Sequence, residues 1–316
     1  MAIKETLLRV EKEVRKVISG KDEIIHQMLT SILAGGHILL EDVPGVGKTT
    51  MAVAFSKAMD LEYRRMQFTP DVMPSDVLGY CMYDREQRAN VYVPGGIICN
   101  LFLADEINRT SSKTQSALLE AMEEGQITVD AYTRALPDPF LVIATENPIG
   151  AAGTQMLPDS QLDRFMIRLS VGYPEESSEI AMMKARHKTN PMENVQCVMT
   201  KEELLEGRSK AEEIFVHDKI YEYVTALVNR TRKHPLLSLG VSPRGSLSLI
   251  SMAKAHALMA GRDYVLAEDV EDIFVCTVAH RILLTPMARA QKNSTGEIAA
   301  AILKEVAAPS LSAKDF

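Results

Sequence analysis

An apolar run, His37-Ile38-Leu39-Leu40, leads into Glu41-Asp42-Val43-Pro44-Gly45-Val46-Gly47-Lys48-Thr49-Thr50, and a helix-forming run follows. The glycines let the backbone curl so that several N–H groups point at one anion, and the dipole of the next helix favours negative charge there. Lys48 supplies a mobile ammonium for β- and γ-phosphates, and the Thr49 hydroxyl suits Mg²⁺. Asp42 stands where the strict G-x-x-x-x-G-K-T string has its first glycine. The candidate phosphate-binding set is Asp42, Pro44, Gly45, Val46, Gly47, Lys48, Thr49 and Thr50, with Thr49 also a metal ligand. A strand, a glycine loop and a helix in this order predict an α/β nucleotide-binding core on a parallel sheet.

A second apolar strand, Asn100-Leu101-Phe102-Leu103-Ala104, ends in Asp105-Glu106. Ligands gather at the carboxyl ends of parallel strands, which brings this pair to the phosphate loop. Asp105 then holds the Mg²⁺ shell, and Glu106, one residue further out, accepts a proton from water. A third continuous run, Phe140 to Thr145, reads as a buried parallel strand that delivers Glu146-Asn147-Pro148 to the same edge, where the Asn147 amide orients the attacking water. A period-two pattern predicts an inserted hairpin over about Gln126–Leu136, turning at Asp130-Ala131, and the weaker pattern over Gly79–Gly96, with Val91-Tyr92-Val93 as its best strand, is read as another. Tyr173 to Ser177 reads as a boundary. Beyond it the pattern is nearly all helical: roughly 178–187, 201–210, 218–233, 243–260, 267–281 and 297–306. The expected architecture is a core over 1–174 and a helical lid over 175–316.

The net charge of −7 argues against a general nucleic-acid binder. Cys81, Cys99, Cys197 and Cys276 form no C-x-x-C pair, so they read as small apolar residues of a reducing compartment. No apolar run reaches membrane-spanning length, and the N-terminus carries no signal-type apolar segment, which points to the cytoplasm.

The order of phosphate loop, Asp-Glu strand, Asn strand, Leu162-Asp163-Arg164-Phe165 and Ser242-Pro243-Arg244 resembles an AAA+ ATPase. The finer strings, among them Gln67-Phe68-Thr69-Pro70-Asp71, Ala104 to Arg109, Leu119 to Glu124 and Ala144 to Pro148, resemble its MoxR branch. Asp42 is familiar in that branch, whereas Glu146 stands where Gln is usual. The resemblance implies ATP and Mg²⁺ as cofactors and Glu106, Asn147, Arg164 and Arg244 as catalytic residues. Arg164 would be the arginine finger that enters the neighbouring subunit's site, and Arg244 a second sensor reaching the γ-phosphate of its own subunit. Arg109 is a further candidate to act across the interface and is not counted among the catalytic residues. The resemblance further implies a ring, read as a homo-hexamer, that remodels or matures a protein client, with partners carrying von Willebrand A domains. The alternatives are a nucleic-acid-dependent motor, a nucleotide-gated scaffold, which Glu106 disfavours, and a small-molecule kinase, for which no acceptor pocket is legible.

Overall fold

The computed structural model describes residues 2–43, 45–147, 156–176, 178–180, 183 and 191–310. The chain opens with helices α1 (Ala2–Arg15) and α2 (Asp22–Leu33), then strand β1 (Ile38–Glu41), helix α3 (Lys48–Ala58) and β2 (Tyr63–Gln67). A short α4 (Pro74–Leu78) leads to the hairpin β3 (Gly79–Asp84) and β4 (Ala89–Pro94), and β5 (Leu101–Asp105) follows. Next come α5 (Ser112–Glu124), the hairpin β6 (Gln126–Val129) and β7 (Tyr132–Ala135), β8 (Leu141–Glu146), α6 (Asp159–Leu162) and β9 (Ile167–Leu169).

The main sheet has the order β2-β5-β8-β1-β9, and all its pairings are parallel. Both faces are covered, which is why its central strands read as unbroken apolar runs. Leu101, Leu103, Leu141 and Ile143 face α1, α2 and α3, while Phe102, Ala104, Val142 and Ala144 face α5 and the second hairpin. His37, just before β1, is half-buried: its Nδ1 accepts from Val142 N at 3.0 Å, so Nε2 donates to Met122 O at 3.0 Å. Burial pulls its pKa down to about 4 and keeps the ring neutral. Both hairpins form, the first from the weaker pattern. The β6–β7 turn runs through Asp130 (φ 49°) and Ala131 (φ 66°), the left-handed pair that a two-residue hairpin needs, reached here without glycine.

The C-terminal part contains α7 (Lys201–Glu213), α8 (Asp218–Arg232), α9 (Pro243–Ala260), α10 (Ala267–Val278), α11 (Pro286–Ala290) and α12 (Thr295–Glu305). Ser242 caps α9 and Pro243 sits in its first turn. The helix expected over 178–187 falls largely outside the described residues. Two features depart from the sequence reading. A small antiparallel pair, β10 (Leu237–Leu239) with β11 (Leu283–Leu284), interrupts the helices. Helix α10 stops at Val278, short of Arg281, because the next residues turn inward: His280 Nε2 lies 3.0 Å from Phe165 O, and Arg281 inserts into the turn after α6.

Arg281 is the buried clamp between the two parts. It donates to Asp163 Oδ1 at 2.9 Å, Phe165 O at 2.7 Å, Met166 O at 3.0 Å and Ser248 Oγ at 3.1 Å. Its side chain is 1% exposed, and burial lowers its pKa to about 10. Removing one partner of a buried pair strands the other. Arg281→Ala is therefore expected to cost about 3 to 5 kcal/mol of folding stability, read by chemical denaturation.

Candidate nucleotide site

The carboxyl ends of β1, β5 and β8 lie side by side, and β2 flanks β5. Gly45 (φ 88°) and Gly47 (φ 97°) take left-handed conformations that a side chain resists, and Gly47 leads into α3 with no side-chain cap on the helix start. The first-turn N–H groups of α3 thus face a cleft of about 330 Å³ lined by Gly45, Gly47, Lys48, Thr49, Thr50, Arg65, Gln67, Asp105 and Glu106. Pro44 lies outside the described residues, and Val46 packs partly against the apolar core.

Lys48 is buried, and its Nζ donates to Asp42 O at 2.7 Å and Glu146 O at 3.3 Å. Burial lowers its pKa, against the pull of Asp42, Asp105 and Glu106. Asp42 replaces a loop glycine for a visible reason. Its Oδ1 accepts from Val43 N at 2.7 Å, and its Oδ2 accepts from Ser170 Oγ at 3.1 Å and from Gly172 N. The carboxylate ties the start of the loop to the segment leaving β9.

Asp105 is held on both oxygens. Thr145 Oγ1 donates to Oδ1 at 2.6 Å, and Arg65 donates to Oδ2 from Nε at 3.1 Å and Nη2 at 2.8 Å. Glu106 adopts φ 56° and ψ 52°, an uncommon setting for a residue with a side chain, and its N–H donates to Thr145 Oγ1 at 2.8 Å. Its Oε2 accepts from Gln67 Nε2 at 2.8 Å and Arg109 Nη1 at 2.7 Å. Asn147 follows β8, and its carbonyl accepts from Asn108 Nδ2 at 3.2 Å. The cleft therefore unites Lys48, Thr49, Thr50, Asp105 and Glu106. Arg65 and Gln67 line it as well, and the buried Thr145 holds Asp105 and Glu106 from behind, though the sequence reading passed over all three. For Arg65 and Gln67 the available signal was alternation along β2, which puts both on one face.

The donors fit a nucleotide with its cation. A helix start, a lysine and two left-handed glycines suit phosphate. A hydroxyl and a carboxylate suit Mg²⁺, which keeps several waters and takes few protein ligands. Among the described residues there is no group of three or more His, Cys, Asp and Glu side chains of the kind that cages a metal by itself.

Arg164 and Arg244 meet elsewhere, on Glu123 near the end of α5. Arg164 Nε lies 3.0 Å from Glu123 Oε2 as an ion pair without hydrogen-bond geometry, and Arg244 Nη2 contacts Glu123 Oε1. Asp163, beside Arg164 in sequence, pairs with Arg281 and accepts from Ser242 Oγ at 2.8 Å. Arg164 is therefore not paired with its own neighbour. Arg244, expected at the phosphates of its own subunit, sits beside Arg164 and outside the residues that line the cleft.

Residues 37–167 match the ATPase family associated with various cellular activities (AAA), and residues 229–302 match the AAA lid domain. The chain is 37% identical to Chaperone MoxR1 of Mycobacterium tuberculosis (strain ATCC 25618 / H37Rv) over 98% of this chain and 84% of that protein. The chain belongs to the MoxR family of AAA+ ATPases. It is also 44% identical to the uncharacterised protein YeaC of Bacillus subtilis (strain 168), over 94% of this chain and 93% of the relative. A crystal structure of a provisionally designated ATPase from Cytophaga hutchinsonii ATCC 33406 superposes with a TM-score of 0.91 at 37% identity, covering 98% of this chain and 96% of that one. This MoxR-family chain is thus an α/β nucleotide-binding ATPase with a helical lid, and no described helix is long and apolar enough to cross a membrane.

Glu146 is an acid of the site edge in an adverse setting. It is 3% exposed, stands in register with Glu41, and leaves Oε1 buried without a partner. Burial and the Glu41 charge raise its pKa to about 7, against Arg168 and a hydrogen bond from the backbone of Leu157. The folded chain then binds more protons than the unfolded chain between the ordinary glutamate range and pH 7. Stability falls as pH rises through that window and stays low above it. Glu146→Gln is expected to raise unfolding free energy at pH 8 by about 1 to 3 kcal/mol, with the gain fading toward pH 5. Denaturation curves at both pH values check this.

Proposed function

We propose that this chain hydrolyses ATP with Mg²⁺ as a ring-forming motor that remodels or matures a protein client. The observation that carries the reading is the cleft in which the start of α3, with Lys48 and Thr49, faces Asp105 and Glu106. Lys48 binds phosphate oxygens, Thr49 and Asp105 hold the metal, and Glu106 takes the proton of the attacking water. Mg²⁺ neutralises phosphate charge when bound. Asn147 orients the water from the end of β8. The core of residues 1–174 and the lid of residues 175–316 share one continuous apolar cluster, and Arg281 adds a polar clamp between the lid and the turn after α6.

Arg164 reaches the neighbouring subunit's nucleotide and neutralises charge that develops on the transferred phosphoryl group. Its tie to Glu123 is about a third exposed and lacks hydrogen-bond geometry, so it can exchange for phosphate. Arg244 rests on the same carboxylate, and we assign it to the same interface in preference to its own cleft. A hexamer, a von Willebrand A partner and a cytoplasmic setting complete the proposal. The name Chaperone MoxR1 supports the client role, and the four free cysteines suit a reducing compartment. The acidic balance disfavours a nucleic-acid motor.

The decisive experiment mixes two inactive proteins. Lys48→Ala lacks the phosphate lysine and Arg164→Ala lacks the finger, so each alone is expected to hydrolyse ATP very slowly. In a reassembled equal mixture, about a quarter of random head-to-tail interfaces join an intact Lys48 to an intact Arg164, and that share of activity returns. Subunit exchange, verified by native mass measurement, without any recovered hydrolysis would rule out the trans role. A companion variant, Glu106→Gln, is expected to bind ATP and retain it unhydrolysed. Normal turnover there would assign the base to another group.

A further inference from the structure

Alternation along β2 places Tyr63, Arg65 and Gln67 on the face turned toward α3, and Arg65 lines the nucleotide cleft opposite Lys48. Its guanidinium directs both Nε and Nη2 at one oxygen, Asp105 Oδ2, at 3.1 and 2.8 Å. The other oxygen, Oδ1, accepts the Thr145 hydroxyl at 2.6 Å, and that hydroxyl also receives the Glu106 N–H at 2.8 Å. Thr145 is fully buried, so Oδ1 is fixed. Oδ2 is the oxygen that can be given up, because the Arg65 side chain is 47% exposed and its other contact, Nη2 to Gln67 Oε1 at 3.0 Å, is with a second exposed side chain.

A guanidinium and a divalent cation at one carboxylate oxygen repel each other at contact distance, where unscreened charges interact strongly. A cation that takes Oδ2 therefore displaces Arg65. A displaced guanidinium needs another acceptor, and within the cleft the fork of N–H donors fits phosphate oxygens. The cation alone brings no such acceptor, whereas a nucleotide does.

We propose that Arg65 is a positioning residue that exchanges partners: it holds Asp105 Oδ2 against a divalent cation arriving alone, and turns to the nucleotide's phosphate oxygens when cation and nucleotide enter together. The inference rests on reading the cleft as the Mg–nucleotide site. It makes the binding of metal and nucleotide interdependent, with Arg65 as the coupling element.

The test uses the full chain and thermal unfolding in millimolar MgCl₂ without nucleotide, against NaCl of equal ionic strength. Wild type is expected to show no specific Mg²⁺ effect. Arg65→Gln, which removes the charge and leaves Asp105 exposed to solvent, is expected to gain several degrees from Mg²⁺ alone, and adding Asp105→Asn is expected to abolish that gain. ADP binding in saturating Mg²⁺, followed by titration calorimetry, is expected to weaken roughly tenfold in Arg65→Gln as a charge-assisted contact is lost. An equal Mg²⁺ response in wild type and Arg65→Gln, or unchanged ADP affinity, overturns the exchange. Lys48→Ala in the same titration keeps the two readings apart. Normal ADP binding by Lys48→Ala would sink the cleft assignment itself. Lost binding there with a wild-type Arg65→Gln would sink the exchange alone.

Discussion

Strand β1 pairs in parallel with β8 from Ile38 opposite Ile143 to Glu41 opposite Glu146, and the cleft hangs from the last rung of that ladder. The Glu146 carbonyl accepts Asp42 N at 3.1 Å and Lys48 Nζ at 3.3 Å, so one backbone oxygen sets both the entry of the phosphate loop and its lysine. On its other side β8 pairs with β5, Ala144 opposite Ala104, which brings Thr145 against Asp105 and Glu106. A slip of one residue would turn Asp105 to the opposite face of the sheet and Thr145 away from it. The apolar residues on both faces oppose such a slip, because each strand would have to exchange residues fitted to two differently shaped cores.

Charge pairing along this edge is nearly complete. The Asp42 carboxylate accepts backbone and hydroxyl donors, Asp105 takes Arg65, Glu106 takes Arg109 and Gln67, and Glu41 lies 3.2 Å from Arg168. Lys48 donates to carbonyl oxygens, which leaves its charge available to a phosphate. Among the described residues the Glu146 carboxylate receives the Leu157 backbone and the charge of Arg168, and keeps one buried oxygen bare. A neutral amide of the same shape would remove that penalty. The position therefore titrates in this chain and would not in one carrying Gln. This is a local consequence of one extra acid on a buried strand end, and it leaves the arrangement of the cleft unchanged.

The strands of the sheet, the second hairpin and the phosphate loop were legible because each carries its own periodicity or turn chemistry, whereas the first hairpin rested on a weak pattern. The helical lid was legible through starts such as Ser242-Pro243. The pair β10–β11 was not, since strands of two and three residues have no period to detect. Nor was the end of α10, where the side chain of Arg281 finds its partners more than a hundred residues away. Arg65, Thr145 and Glu123 escaped for the same reason. Their roles lie in which distant side chain they meet, and a local pattern carries no information about that. Thr145 inside an apolar run looked like any β-branched residue, yet its hydroxyl fixes both acids of the Asp-Glu pair.

The turn after α6 separates two arginines by the strength with which each is held. Asp163 lies between Arg281, which is almost wholly buried, and Ser242, so it is committed to joining lid and core. Arg164, the next residue, meets instead a carboxylate that is 35% exposed and shared with Arg244. Exposed pairs contribute about 0 to 1 kcal/mol, whereas breaking a buried pair costs several. An arginine that must leave its partner to reach a phosphate has to start from the weaker setting. Had Arg164 paired with Asp163, its release would have loosened the lid. With Arg281 fixed on Asp163 and Arg164 on the more exposed Glu123, the finger proposed at Arg164 would be free to move while the clamp beside it stays closed.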